Sequence, residues 1–148
     1  MRNRYATLFL LILSYLISAP LFAGGEHEIE KVEELINTFN QNIIVQNVEE
    51  IGERLHPRFQ AGISSKNEMG LYSRSAFLES FKMKNMGGVP TEVKIKNMDI
   101  SGSVGTVTAL LVSKSERIRA YYNLLRTDSG WIIFNLVMEK KPNPAIQN

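Results

Sequence analysis

The segment Arg117–Met138, RIRAYYNLLRTDSGWIIFNLVM, decides the fold. From Ile118 to Leu124 every second residue is apolar or aromatic, and arginine, tyrosine or asparagine separates them. A period of two is typical of a strand with one buried face. A Thr-Asp-Ser-Gly turn at 127–130 follows, and Trp131 then opens a second β-rich run. The segment therefore predicts an antiparallel hairpin.

The first 23 residues have the order of an export signal. Met1–Arg4 is basic, Tyr5–Ile17 is almost wholly apolar, and small residues lead up to Ala23. We expect cleavage after Ala23, which predicts a periplasmic or secreted protein without a stable membrane anchor. The alternative is an uncleaved anchor, but the apolar run is shorter than the roughly 20 residues of a spanning helix, and Pro20 would interrupt it.

The remaining residues predict one domain over 24–141 and a loose C-terminal tail over 142–148. Two of the 17 basic residues belong to the signal, so 15 basic residues would balance 15 acidic ones in the mature chain. This balance argues against a nucleic-acid partner. The chain has no cysteine, which excludes disulfides and thiolate nucleophiles.

Three helices are predicted in the first half of the mature chain. Apolar residues recur every three or four positions over 26–47, which indicates a long amphipathic helix. Asn47 is expected to cap a second, short helix that ends before Pro57. Ser73 or Ser75 is expected to cap the third.

Five strands complete the prediction. One is short and the other four follow each other: Phe59–Ile63, Thr91–Ile100, Val104–Ser113, Arg117–Arg126 and Trp131–Lys140. The polar segment 64–72, which contains Gly70, is expected to be a loop. The order α-α-β-α-β-β-β-β predicts an α+β domain with the helices on one face of an antiparallel sheet.

The last strand is apolar on both faces. Strict alternation would place Trp131, Ile133, Asn135 and Val137 on one face and Ile132, Phe134, Leu136 and Met138 on the other. Because the helices can cover only one face, we expect the outer face of the sheet to form a homodimer. The alternative is that the tail or long side chains of the same chain cover it.

Several segments together resemble the nuclear transport factor 2-like superfamily, in its SnoaL-like or "putative lumazine-binding" branch. They are the opening helix, Leu55-His56-Pro57, the helix around Phe77-Leu78, and Tyr121–Arg126 leading to Trp131. The similarity covers nearly all of the mature chain. It implies a cone-shaped, curved antiparallel sheet with helices on the concave face, a cystatin-like α+β fold that encloses a pocket.

Four residues are candidates for binding a ligand in that pocket: Tyr72, Tyr122, Trp131 and Asn135. Tyrosine and tryptophan combine an apolar ring with one hydrogen-bonding tip, and Asn135 is a polar residue on an apolar face. They suit a small organic ligand, planar or heterocyclic, and no cofactor is expected. The alternative is that the aromatic residues are ordinary core.

Catalysis is the second possibility for the pocket. The resemblance implies that enzymes of this superfamily use a carboxylate or a His–Asp pair near the first short strand, yet no acid lies between Arg58 and Glu68. We therefore expect a non-catalytic binding domain. One alternative is an isomerase, dehydratase or cyclase that uses His56 with Tyr72 or Tyr122. Another is a structural or assembly dimer with a filled cone. No metal site is expected, because His56 has no partner at ligand spacing.

Overall fold

The computed structural model describes residues 23–66 and 68–146. The predicted export signal lies outside the described residues except for Ala23. Across the described ranges, no helix is both long enough and apolar enough to span a membrane.

The described chain forms three α-helices, six β-strands and a short 3₁₀ helix. In chain order they are α1 Ala23–Val45, α2 Val48–Glu53, β1 Leu55–Ser65, β2 Glu68–Ser73, α3 Arg74–Lys82, β3 Glu92–Ser101, β4 Val104–Val112, β5 Glu116–Thr127, β6 Gly130–Pro142 and the 3₁₀ helix Pro144–Ile146.

α2 and α3 begin where the sequence predicts, whereas α1 begins at Ala23, three residues before its predicted start. Asn47 caps α2, because its side-chain oxygen accepts a hydrogen bond from the amide of Glu50 at 3.4 Å. Ser73 caps α3 in the same way, through the amide of Ala76 at 3.3 Å. In α1, residues at steps of three and four are buried against the sheet: Val32, Leu35, Ile36 and Phe39.

The six strands form one sheet in the order β2-β1-β6-β5-β4-β3. β1 and β6 are parallel and all other neighbours are antiparallel. The sheet is curved and open, and the helices pack on its concave face, which confirms the predicted α+β class.

The loop predicted over 64–72 is wrong. β1 continues to Ser65, and β2 pairs with it as the edge strand of the sheet. β2 is an edge strand and exposes most of its side chains to solvent. Polar residues in this segment are therefore compatible with a strand. Gly70 makes room for the ring of Tyr72, because a Cβ at position 70 would lie 2.7 Å from Cε2 of that ring. The element order is therefore α-α-β-β-α-β-β-β-β.

The predicted hairpin of β5 and β6 is confirmed, with Gly130 at φ +116° in its turn. However, β6 contains a β-bulge at Phe134. Ile133 pairs with Leu124 and Asn135 pairs with Asn123, which leaves Phe134 between them. The predicted alternation is therefore wrong beyond Ile133. The buried face of β6 carries Trp131, Ile133, Leu136 and Met138.

The end of β6 is followed by a segment that is tied to the sheet. The backbone amide of Asn143 donates to the carbonyl oxygen of Ser115 at 2.9 Å. The side-chain Nδ2 of Asn143 donates to the carbonyl oxygen of Ser113 at 2.8 Å. These bonds fix the start of the tail predicted for 142–148. Residues 147–148 lie outside the described part of the chain.

Glu28 joins the start of α1 to the sheet. Its Oε2 accepts a hydrogen bond from Nε1 of Trp131 at 2.8 Å, and Nη1 of Arg126 lies 3.3 Å from the same oxygen. Its Oε1 accepts from Nζ of Lys31 at 3.0 Å. The bond from Trp131, followed by that from Lys31, lowers the pKa of Glu28 below its usual 4.5.

We expect Glu28→Gln to lower the free energy of unfolding at neutral pH. A carboxyl whose pKa is lowered by folding stabilises the folded state above its unfolded pKa, and this stabilisation is lost as the pH falls through the folded pKa. The difference between wild type and variant should therefore shrink below pH 4.5. Urea unfolding at a series of pH values measures it.

Glu33→Gln, on the exposed side of the same helix, is the matched control and should leave the pH dependence of unfolding unchanged. A stability difference between wild type and Glu28→Gln that is constant down to acidic pH would show that the carboxylate charge of Glu28 is not what joins α1 to the sheet.

Candidate functional site

A cavity of about 190 Å³ lies between α1, α3 and the concave face of the sheet. Most of its described wall is apolar: Ile43, Ile44, Ile63, Phe77, Phe81, Met86, Val89, Leu111, Ile118, Leu136 and Met138. The polar residues on the same wall are Asn40, Asn85, Thr91, Ser113, Glu116, Tyr122 and Lys140. A concave, mostly apolar site with a few polar groups is typical of small-molecule binding.

The turn after α3 closes one side of the cavity. Gly88 donates its amide to the carbonyl oxygen of Ile43 at 3.2 Å, and the side chain of Gln46 donates to the carbonyl oxygen of Met86 at 2.7 Å. Gly87 has φ +73°, and a Cβ at this position would collide with the carbonyl oxygen of Ile43. Glycine therefore lets the turn dock on the C-terminal end of α1.

Asn40 and Tyr122 form a buried polar pair on the cavity wall. Their side chains are 3% and 1% exposed, and the Tyr122 hydroxyl lies 3.1 Å from both Oδ1 and Nδ2 of Asn40. Nδ2 also donates to the carbonyl oxygen of Ile36 at 2.7 Å. Phe39 packs against Tyr122 in an edge-on geometry with centroids 6.3 Å apart. The pair is thus held by the helix on one side and by β5 on the other.

Burial raises the pKa of Tyr122 well above its usual 10, and the hydrogen bond to Asn40 offsets only part of this shift. The hydroxyl is therefore neutral at physiological pH. It can donate or accept a hydrogen bond, but it supplies no charge.

Charged groups on the wall lie at its rim. Nζ of Lys140 is 3.8 Å from Oε2 of Glu116, and both side chains are partly exposed. Ser113 accepts a hydrogen bond from the amide of Glu116 at 3.0 Å, which fixes the start of β5 beside the rim. The two charges offset each other, so the entrance favours no particular ion.

The structure does not bring the four predicted ligand-binding residues together. Among the residues described on the cavity wall, Tyr122 is the one member of that group. Trp131 lies near the start of α1 with Glu28, and Tyr72 lies over Gly70 on the edge strand.

Asn135 is turned away from the cavity by the bulge at Phe134. Its side-chain nitrogen donates to the carbonyl oxygen of Gln60 at 3.0 Å, and its oxygen accepts from Asn123 at 3.2 Å. Asn123 is exposed on the outer face of β5, so Asn135 belongs to the outer face as well. The prediction that Asn135 lines the pocket does not agree with this placement.

His56 is not part of the described cavity wall either. Its Nδ1 accepts a hydrogen bond from the amide of Arg58 at 3.0 Å, and its ring packs on Phe134 with centroids 5.2 Å apart. This is a structural role at the junction of α2 and β1. Within the described ranges, no group of three His, Cys, Asp or Glu side chains is arranged to hold a metal ion.

Asn40 is the site residue that the sequence reasoning missed. It lies four residues after Ile36 and three before Ile43, so it falls on the apolar stripe of α1. A polar residue on an otherwise apolar stripe indicates a buried amide, and a buried amide needs a hydrogen-bond partner elsewhere in the fold.

Comparison with solved structures identifies the fold. An NTF-2 like protein of unknown function from Silicibacter pomeroyi is 14% identical, with a TM-score of 0.71 and coverage of 80% of this chain and 99% of that one. A putative dehydratase of the NTF2-like family from Streptomyces avermitilis is 14% identical, with a TM-score of 0.63 and coverage of 78% and 97%. A ketosteroid isomerase-like protein from Erwinia carotovora atroseptica is 10% identical, with a TM-score of 0.62 and coverage of 76% and 95%.

At these identities the likeness establishes an NTF2-like fold. The family model described as "Putative lumazine-binding" matches residues 27–138, and the chain belongs to that family. No curated protein matches the sequence significantly. The predicted membership of the nuclear transport factor 2-like superfamily is confirmed.

We expect Tyr122→Phe to lower the free energy of unfolding by about 1–2 kcal/mol, because it leaves the buried amide of Asn40 without its hydroxyl partner. Tyr121→Phe is the matched control, since the substitution keeps the apolar ring on the outer face and removes only a hydroxyl that lies away from the cavity, so stability should change little. Urea unfolding of both variants at neutral pH measures the difference. Equal effects of the two substitutions would contradict the structural role of the pair.

Proposed function

We propose that this chain is an exported small-ligand-binding domain without catalytic activity, and that one small organic molecule occupies the cavity of about 190 Å³. The observation that carries the proposal is the cavity itself, an apolar space with the neutral Asn40–Tyr122 pair on its wall. Open space of this size argues against the alternative of a structural dimer with a filled cone. The description of the family, lumazine-binding, agrees with a small ligand.

The chemistry of the wall argues against the enzyme alternative, an isomerase, dehydratase or cyclase. Proton abstraction needs a base within hydrogen-bond reach of the substrate. On the described wall the carboxylate is that of Glu116, which is partly exposed and paired with Lys140 at the rim. His56, the histidine that this alternative requires, contacts Phe134 and the amide of Arg58 instead.

Export is part of the proposal and rests on the sequence of residues 1–23. A basic start, an apolar segment and small residues at the expected cleavage site are what secretion needs. The domain matched by the family begins at residue 27, so cleavage after Ala23 would leave it whole. We propose a periplasmic or secreted location.

We also propose a homodimer through the outer face of the sheet. In register across four strands, Tyr121 pairs with Val137, Val137 with Gly62, and Gly62 with Leu71. The side chains of Tyr121, Val137 and Leu71 are 42%, 44% and 80% exposed. A continuous apolar row of this kind favours burial against a second copy.

Naphthalene is a suitable probe of the cavity, because it is apolar and needs no hydrogen bond. We expect it to bind wild type and to shift the NMR signals of cavity residues. Ile118→Trp should weaken this binding about tenfold or more, because the indole ring would occupy the space.

Val104→Trp, at an exposed position that starts β4, is the matched control and should bind naphthalene as wild type does. Binding that is the same in wild type and Ile118→Trp, or absent from wild type, would refute the proposed binding cavity.

The dimer is tested by sedimentation of the mature chain. We expect wild type to sediment as a dimer and Val137→Glu to sediment as a monomer, because a charge in the middle of the apolar row would be buried without a partner. Val45→Glu, at an exposed position on α1, should leave the dimer intact. A wild-type monomer at micromolar concentration would rule the dimer out.

A further inference from the structure

We propose that the ligand of this cavity is a neutral, largely apolar compound of one or two rings with a single hydrogen-bonding oxygen, which the Asn40–Tyr122 pair binds. The inference deepens the proposed function and rests on it. It departs from the description of the family, because lumazine is a polar pteridine with oxygen and nitrogen acceptors around its rings.

The size of the space limits the ligand first. The cavity measures about 190 Å³. An apolar protein cavity of about 150 Å³ is known to hold benzene, so one ring or two small fused rings can enter here. A steroid-sized molecule of four fused rings would not fit within this volume.

The wall limits the polarity of the ligand. Its middle is formed by aliphatic, aromatic and methionine side chains, among them Ile63, Phe77, Leu111 and Leu136. Uncharged polar groups line it at the Asn40–Tyr122 pair and at Asn85, Thr91 and Ser113. A pteridine carries nitrogen and oxygen atoms around both rings, and those held against the apolar middle of the wall would be buried without partners, which opposes binding.

The hydrogen-bonding capacity of the pair sets the number of polar groups that it can serve. One hydrogen of Asn40 Nδ2 is used by the carbonyl oxygen of Ile36. The Tyr122 hydroxyl either donates to Oδ1 of Asn40 or accepts from Nδ2, since both atoms are 3.1 Å away. In the first arrangement the hydroxyl oxygen can accept from a ligand hydroxyl, and in the second its hydrogen can be donated to a ligand carbonyl.

The charges around the cavity favour a neutral ligand. Tyr122 is a neutral phenol at physiological pH, burial raises its pKa further above the usual 10, and Asn40 carries no charge. At the rim, Glu116 and Lys140 face each other and offset each other. A charged ligand would therefore lose its hydration without gaining an opposite charge.

The test compares matched ligands by NMR titration. We expect 2-naphthol to bind wild type about tenfold more tightly than naphthalene, or 1-indanone to show the same advantage over indane, because one added oxygen gains one hydrogen bond. Lumazine should bind more weakly than both 2-naphthol and 1-indanone. In Tyr122→Phe the advantage of the oxygen should disappear, whereas the control Tyr121→Phe should retain it.

The ranking of ligands in wild type decides the proposal even if Tyr122→Phe folds poorly. Lumazine binding more tightly than 2-naphthol and 1-indanone, or oxygen giving no advantage in either pair, would overturn it. An advantage that survives intact in folded Tyr122→Phe would overturn it as well. If naphthalene binds but the added oxygen does not increase affinity, the proposed ligand class is wrong and the binding cavity stands. If none of the compounds binds, the proposed function fails with it.

Discussion

The hydrogen bond between Asn40 and Tyr122 is the interaction on which the cavity depends. It joins the C-terminal third of α1 to β5 across 82 positions of sequence, and both side chains are buried. Because a buried amide or hydroxyl is costly without a partner, the bond reinforces the orientation of α1 that its buried apolar stripe sets. The space between the C-terminal part of that helix, α3 and the concave face is then left unfilled. A structural bond thus also provides the polar part of the candidate site.

Contacts at both ends of α1 support this arrangement. Near its start, Glu28 holds Trp131 and the neighbouring Arg126. Near its end, the carbonyl oxygen of Ile43 accepts the amide of Gly88. These contacts hold α1 near its start and at two points in its C-terminal third, and the space beside them is open. An open space bounded by specific hydrogen bonds supports the proposed binding function.

Local rules explain how much of this could be predicted. Periodicity and capping gave the three helices, the caps Asn47 and Ser73, and the β5–β6 hairpin, because each depends on residues close in sequence. β2 was missed because an edge strand tolerates polar residues. The bulge at Phe134 was missed because a single inserted residue has no signature in the alternation of apolar and polar residues. The bulge turns Asn135 to the outer face. Of the site, only Tyr122 was predicted, since its partner Asn40 comes from a distant segment.

The ligand-binding cavity is tested most directly by native mass spectrometry of the protein purified from the organism that makes it. We expect a chain that begins at Gly24 and carries one neutral small molecule of reproducible mass in each copy. The same preparation of Ile118→Trp, whose cavity is filled, should carry none. A wild-type chain without any bound molecule, or the same molecule retained by Ile118→Trp, would contradict the claim that this cavity is a ligand-binding site.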